Sequence, residues 1–233
     1  MLRSKSPNAP DLTADRAAAL ELIPVSREIA ERLDRLAALL LEWQSHTNLI
    51  AASTVPSVWT RHIADSLQLL ALAPNATRWA DLGAGAGFPG LVIAAALADR
   101  PGAVVHLVES TGKKANFLRE AARHIAAPAI VHAVRIEDFG KSFRDPLDVV
   151  TARALARLPD LLELAHPLLK TGAQGLFLKG QDVGVELTEA SKCWNIEAEL
   201  VPSKTSPQSR VVVVRSLQRR PGAKRNAYVR SNR

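Results

Sequence analysis

The stretch Trp79-Ala80-Asp81-Leu82-Gly83-Ala84-Gly85-Ala86-Gly87-Phe88-Pro89-Gly90 decides how the rest of this 233-residue chain is read. An apolar strand pattern over 78–82 breaks into a run of glycines, and 91–98 continues as a helix pattern. Gly83, Gly85 and Gly87 let the backbone turn sharply and come close to a ligand, because no Cβ stands in the way. Outward from this loop, short apolar strand patterns alternate with helical ones. Strands are expected at 104–108, 129–134, 147–151 and 175–179, and helices at 113–125, 158–169 and 183–193. Alternating βα units imply a mostly parallel sheet with helices on both faces. The last two strands, 196–201 and 210–215, have no helix between them and are expected to pair antiparallel. Upstream, Ile29, Leu33, Leu36 and Leu40 recur at helical spacing within 26–43. Trp59, Ile63, Leu67 and Leu70 mark a second helix over 56–72, with Pro56 in its first turn. These two helices are expected to form an N-terminal cap over 25–75, preceded by a flexible, Pro- and Ala-rich stretch over 1–24.

In an open α/β sheet a ligand binds beyond the carboxyl ends of the strands, where the glycine loop falls. Two cofactors compete for it. Gly85-x-Gly87-x-x-Gly90 matches the dinucleotide fingerprint, and Glu109 lies 24 residues after Gly85, near the expected ribose-binding acid. Overlapping it, Asp81-x-Gly83-x-Gly85-x-Gly87 resembles the loop of class I S-adenosylmethionine methyltransferases. Asp81 separates the two, because a carboxylate repels a pyrophosphate in a partly dry cleft. S-adenosylmethionine has no phosphate and carries an ammonium and a sulfonium. The alternative for Asp81 is a hydrogen bond to loop amides. Glu109 ends the second strand, where a carboxylate can accept from both ribose hydroxyls; an ion pair with Lys113 is the alternative. Thr111-Gly112-Lys113-Lys114 resembles the end of a phosphate-binding loop, but no glycine stands five residues before Gly112, so a P-loop is rejected. Ile136-Glu137-Asp138 follows the third strand. In an S-adenosylmethionine site Ile136 would pack on the adenine; a solvated turn is an equal alternative.

Thirty Lys+Arg against 23 Asp+Glu give a net charge of +7. Nine of the basic residues, and no acid, lie from Ser203 to Arg233, so the rest of the chain is nearly neutral. Such asymmetry points to a polyanion partner, with a solvated tail as the alternative. Residues 217–233, which include Pro221-Gly222 and a single aromatic, Tyr228, are expected to be a disordered basic tail. The longest apolar run, 91–98, is far short of the ~20 residues a membrane helix needs. No secretory signal is legible at the start, and the single Cys193 can form neither an internal disulfide nor a cysteine zinc site. A monomer in the cytoplasm, without membrane or metal, is the expectation.

Further motifs stand in order around the loop: Asn48-Leu49-Ile50-Ala51, Trp59-x-Arg61-His62-x-x-Asp65-Ser66, Glu109-Ser110-x-Gly112-Lys113-Lys114-x-x-Phe117-Leu118, Thr151-Ala152-Arg153-Ala154, Pro167-Leu168-Leu169-Lys170 and Lys179-Gly180. The series resembles the bacterial small-subunit ribosomal RNA guanine-N7 methyltransferase family (RsmG, or glucose-inhibited division protein B). The resemblance implies a class I S-adenosylmethionine-dependent, Rossmann-like α/β fold with an antiparallel last strand and an N-terminal helical extension. The methyltransferase domain would then span 76–216. It implies methyl transfer to N7 of guanine 527, in the 530 loop of 16S ribosomal RNA, either as free RNA or within a small-subunit assembly particle. Cofactor contacts are implied at Gly83, Phe88, Ile136, Glu137 and Arg153, with Glu109 as the ribose acid, beside Asp81, Gly85 and Gly87 of the loop. The family often carries Asp at the position of Glu109 and Ala at that of Ile136. Alternatives are a methyltransferase for another RNA or a small molecule, an NAD-dependent oxidoreductase, and a nucleic-acid-binding protein that merely keeps the fold.

Guanine N7 already presents a free lone pair, so this chemistry needs no general base and no covalent nucleophile, and no catalytic base is assigned. The work is placing N7 in line with the methyl group and shaping the local field. Arg61, His62 and Asp65 share a helix face and serve either as an RNA contact or as an anchor between cap and core. Lys179, at the end of the fifth strand, is either a phosphate contact or solvated. Arg153, after the fourth strand, could hold the guanine, its phosphate or the cofactor carboxylate, or make a structural ion pair. Trp43, Trp59, Trp79 and Cys193 are expected to pack.

Overall fold

The computed structural model describes residues 10–223. Five parallel strands, β1 (Arg78–Leu82), β2 (Val104–Val108), β3 (Ala129–His132), β4 (Val149–Arg153) and β5 (Gln174–Lys179), are joined by two long antiparallel ones, β6 (Trp194–Pro202) and β7 (Arg210–Arg219). They form one sheet in the order β3-β2-β1-β4-β5-β7-β6. The chain starts at β1, builds outward to β3, then returns to add β4 on the other side. The place where the order reverses, between the carboxyl ends of β1 and β4, is where such sheets open a crevice. β7 lies antiparallel between β5 and β6, so the expected antiparallel pair also joins the parallel sheet.

Side chains alternate across the pleat. Trp79 of β1 enters one core with α4 (Gly90–Ala96), α5 (Gly112–His124) and the N-terminal helices, while Ala80 and Leu82 enter a second with α6 (Ile136–Ser142), α7 (Leu158–Leu169) and α8 (Val183–Ala190). Because α2 (Arg27–Gln44) buries Leu33, Leu36 and Leu40 in the first core, the cap and the sheet share a single interior. Ser26 caps α2 by accepting from the Ile29 N–H.

Three expectations are corrected. The stretch read as flexible over 1–24 contains α1 (Thr13–Leu22). Asp15 accepts from the Trp59 and Thr60 N–H groups and the Thr60 hydroxyl, and Arg16 pairs with Asp34, so polar side chains fix a helix of weak apolar pattern. The single helix expected over 56–72 is four short windings: 3₁₀ over Ala52–Ser57, π over Trp59–Ala64, α3 (Asp65–Leu67) and 3₁₀ over Gln68–Leu72. The expected tail over 217–233 begins too early, because β7 runs to Arg219. Leu217 is buried, the Arg219 guanidinium lies 4.1 Å from the Trp194 ring and pairs with Glu163, and the Arg220 N–H reaches Cys193 O. The remainder of that expectation, residues 224–233, lies outside the described residues. Trp59 and Trp79 are buried and Trp43 packs half-buried on Phe117, as expected. No helix among the described residues is long and apolar enough to cross a membrane.

Candidate functional site

The glycine loop leaves β1 with Gly83, Gly85 and Gly87 at φ of +69°, +55° and +86°. These are left-handed values that L side chains rarely adopt. A Cβ on Gly87 would fall 2.3 Å from Leu91, and one on Gly90 2.3 Å from Leu107 and 2.8 Å from the Asp81 carboxylate. The loop is therefore tight on its inner side. Gly85 differs, since a Cβ there would meet nothing nearer than Gly83 O at 3.7 Å, so its outer face is open. That face lines a cavity of about 540 Å³ at the switch point.

Gly83, Gly85, Phe88 and Lys114 line the cavity, together with Arg61, His62, Asp65, Arg153 and Lys179 and, from the β6–β7 loop, Thr205, Ser206 and Ser209. The segment Leu49–Ala51 closes the side, and the Gln44 amide pins it by accepting from the Leu49 and Ile50 N–H groups and donating to Ile50 O.

Asp81 is corrected. It lies beneath the loop, 1% exposed, and does not line the cavity. Its carboxylate accepts from the Gly90 N–H and the Thr151 hydroxyl, both at 2.9 Å, so the alternative of a loop-holding group is the one realised. Burial pushes it up to about 7, against those two hydrogen bonds. The electrostatic choice between cofactors therefore does not rest on a ligand-facing Asp81. Glu109, 8% exposed at the end of β2, accepts from the Gly85 N–H at 3.0 Å and the Thr111 N–H at 2.7 Å; the ion pair with Lys113 is not formed. Two oxygens offer about four lone-pair sites, so these two amides leave capacity for a diol.

Phe88 stacks on His62 with ring centroids 4.9 Å apart, and the Arg153 guanidinium lies 5.2 Å from the Phe88 ring. Arg153 Nη1 donates to Arg61 O at 3.1 Å and lies 3.8 Å from Asp65, joining the β4 turn to the cap. Ala154, next in that turn, sits at φ +51°, a conformation costing about 1–2 kcal/mol for a residue with a Cβ. Burial, then the positive Arg153 and Arg61, lowers His62 to about 3, so it is neutral at physiological pH. Its Nε2 meets the Thr54 hydroxyl at 2.9 Å and its buried Nδ1 has no protein partner. Lys179 lines the cavity and is not solvated: it pairs with Glu186 at 2.7 Å and donates to Ala156 O, with both side chains nearly buried. Ile136 and Glu137 begin α6, where a solvated turn or an adenine wall was expected, and neither lines the cavity. The β6–β7 loop was not singled out, since a small polar loop between two strands carries no local signature of a site; Lys114 stood in the quoted motifs but was given no role.

Known proteins place this arrangement. Residues 29–212 match the family described as GidB: rRNA small subunit methyltransferase G. A Bradyrhizobium sp. protein named Ribosomal RNA small subunit methyltransferase G is 59% identical over 208 residues, covering 89% of this chain and 94% of its own. One of the same name from Nitrobacter hamburgensis is 56% identical over 220 residues, covering 94% and 85%. In fold, the chain is similar to an O-methyltransferase from Bacillus cereus solved in complex with SAH, with a TM-score of 0.56 at 16% identity, covering 88% of this chain and 98% of that one. The ordered motifs, the switch-point cavity and these matches agree, and the chain belongs to the rRNA small subunit methyltransferase G family.

Proposed function

We propose that the chain transfers a methyl group from S-adenosylmethionine to N7 of a guanine in small-subunit ribosomal RNA, guanine 527 of the 530 loop. The observation that carries the reading is the cavity at the β1–β4 switch point, lined both by the glycine loop and by a cluster of cations, in a chain of this family. The residues present fit the cofactor. Gly85 offers an open face to the cavity, and Glu109, outside the cavity lining but bonded to the Gly85 N–H, has unused lone pairs for a ribose diol. When bound, S-adenosylmethionine supplies a methyl group on a positively charged sulfur.

The chain's own residues have a limited task. Guanine N7 needs no deprotonation, and no group in the cavity is poised to act as a base. His62 is held neutral by burial and the neighbouring arginines, and Asp65 is already hydrogen-bonded. Catalysis then consists of orientation and desolvation, for which effective molarities are large. Phe88 and His62 stack on each other, and the Arg153 guanidinium beside the Phe88 ring sets a positive charge in the cavity wall, where it can fix a base edge or a phosphate. Asp81 and Thr151 keep the loop in shape from below.

Purified protein supplied with methyl-labelled donor should label deproteinised or partly assembled small-subunit RNA, and nucleoside analysis should find the label as 7-methylguanosine. Label in another nucleoside, or none in RNA, would refute the reading.

A further inference from the structure

Arg153, at the end of β4, and the β6–β7 loop both line the cavity, and both are held by Asp65. Its Oδ1 accepts from the Thr205 hydroxyl at 2.7 Å and from Gln68 Nε2 at 2.8 Å, with Ser203 Oγ at 3.5 Å. Its Oδ2 lies 3.8 Å from Arg153 Nη1. Gln68 extends the attachment by accepting from the Lys204 N–H at 2.9 Å. The Asp65 side chain is 15% exposed, and burial raises its pKa against the Thr205 hydrogen bond and the nearby Arg153 and Arg61. A nearly buried carboxylate is costly unless its partners need it. Here the partners are one cavity-lining arginine and one cavity-lining loop.

We infer that Asp65 is a positioning residue for the transfer: it orients the Arg153 guanidinium and ties the 203–209 loop against the cap, so that the cavity wall these two form is set by a group that need not touch the substrate. Arg153 Nη1 is occupied by Arg61 O and Asp65, which leaves Nη2 and Nε without a hydrogen-bond partner among the described residues and available to the cavity. The loop, once tied, brings Thr205, Ser206 and Ser209 into the wall. The inference rests on the proposed methyl transfer for its kinetic readout and on the hydrogen bonds alone for its structural one.

The test uses the full chain with two substitutions. Asp65→Asn keeps an oxygen for Thr205 and Gln68 but removes the charge beside Arg153; Thr205→Val keeps the charge and releases the loop. The expected result is a split. Asp65→Asn lowers kcat at least tenfold with KM for RNA within twofold, and Thr205→Val raises KM at least threefold with kcat within twofold. In both, donor affinity by calorimetry stays within threefold, because Arg153 keeps its bond to Arg61 O and its seat over Phe88. Hydrogen exchange at the Lys204 amide quickens at least tenfold in Thr205→Val. Kinetic constants that do not split, or that fall in proportion to thermal stability, overturn the inference, as does an Asp65→Asn chain that fails to fold. If the unsubstituted chain labels no RNA, the functional reading has failed, and Lys204 exchange still decides the anchoring: an unchanged rate in Thr205→Val overturns it.

Discussion

Replacing Asp81 with asparagine should change how the stability of this protein depends on pH. The Asp81 carboxylate is buried beneath the glycine loop and pushed from 3.8 to about 7, mainly by burial. A carboxyl whose folded pKa exceeds its unfolded one binds its proton more tightly in the folded state. The stability it contributes is fully present below about pH 4 and is lost as pH rises through about 7. At about 1.4 kcal/mol per tenfold change in proton affinity, the difference corresponds to on the order of 4 kcal/mol across that window. Asparagine keeps both hydrogen bonds: its oxygen can accept from the Gly90 N–H, and its amide can donate to Thr151 Oγ1. The variant therefore loses the titration and keeps the geometry. Urea unfolding of parent and variant from pH 4 to 8.5 measures this, and their difference cancels the histidines, whose depressed pKa values give the opposite slope. The two should agree near pH 4, and the variant should gain progressively to an advantage of a few kcal/mol above pH 7. Parallel curves would refute the reasoning, since they would mean that Asp81 carries its charge at no cost where it lies.

Gly90→Ala places a methyl against Leu107 and Asp81 in a packed site. It should cost about 1–3 kcal/mol of stability, and a thermal midpoint equal to the parent's would contradict the packing. Lys179→Ala strands the nearly buried Glu186 and should cost about 3 kcal/mol. Lys179→Met with Glu186→Gln, whose oxygen still accepts from the Leu158 N–H, should recover most of it by urea titration; a single variant as stable as the parent would return Lys179 to the role of a surface phosphate contact. With His62 lowered to about 3, kcat should show no limb near pH 6.5 from this residue, and His62→Asn should leave the shape of the profile unchanged. A limb that disappears with the substitution would make His62 a proton carrier.

Most of the sheet was legible because buried parallel strands read as short apolar runs between glycines and helices. The bounds of β1, β2 and α7 agree with the sequence pattern residue for residue. What escaped depends on contacts between distant residues. α1 is held by Asp15 under Trp59 and Thr60, 44 and 45 residues away, which no local periodicity records. The second cap helix changes winding where Asp15 intercepts its amides. In the site, the glycine loop was legible by spacing, and Arg61, His62 and Asp65, which line the cavity, by their three- and four-residue intervals. The direction of Asp81 was not, because strand alternation gives its face but not whether α4 or a ligand meets it there. The ion pair of Lys179 was illegible for a related reason: its partner Glu186 lies on the following helix, α8, and sequence alone does not bring the two within 2.7 Å.

In the proposed reaction guanine N7 is the acceptor atom. Small-subunit RNA that carries 7-deazaguanine at the labelled position, a carbon in place of N7 with every other edge intact, tests it with one scintillation count. Incorporation of labelled methyl should fall to background while the all-guanine RNA is labelled stoichiometrically. Undiminished labelling of the substituted RNA would show that another atom receives the methyl group.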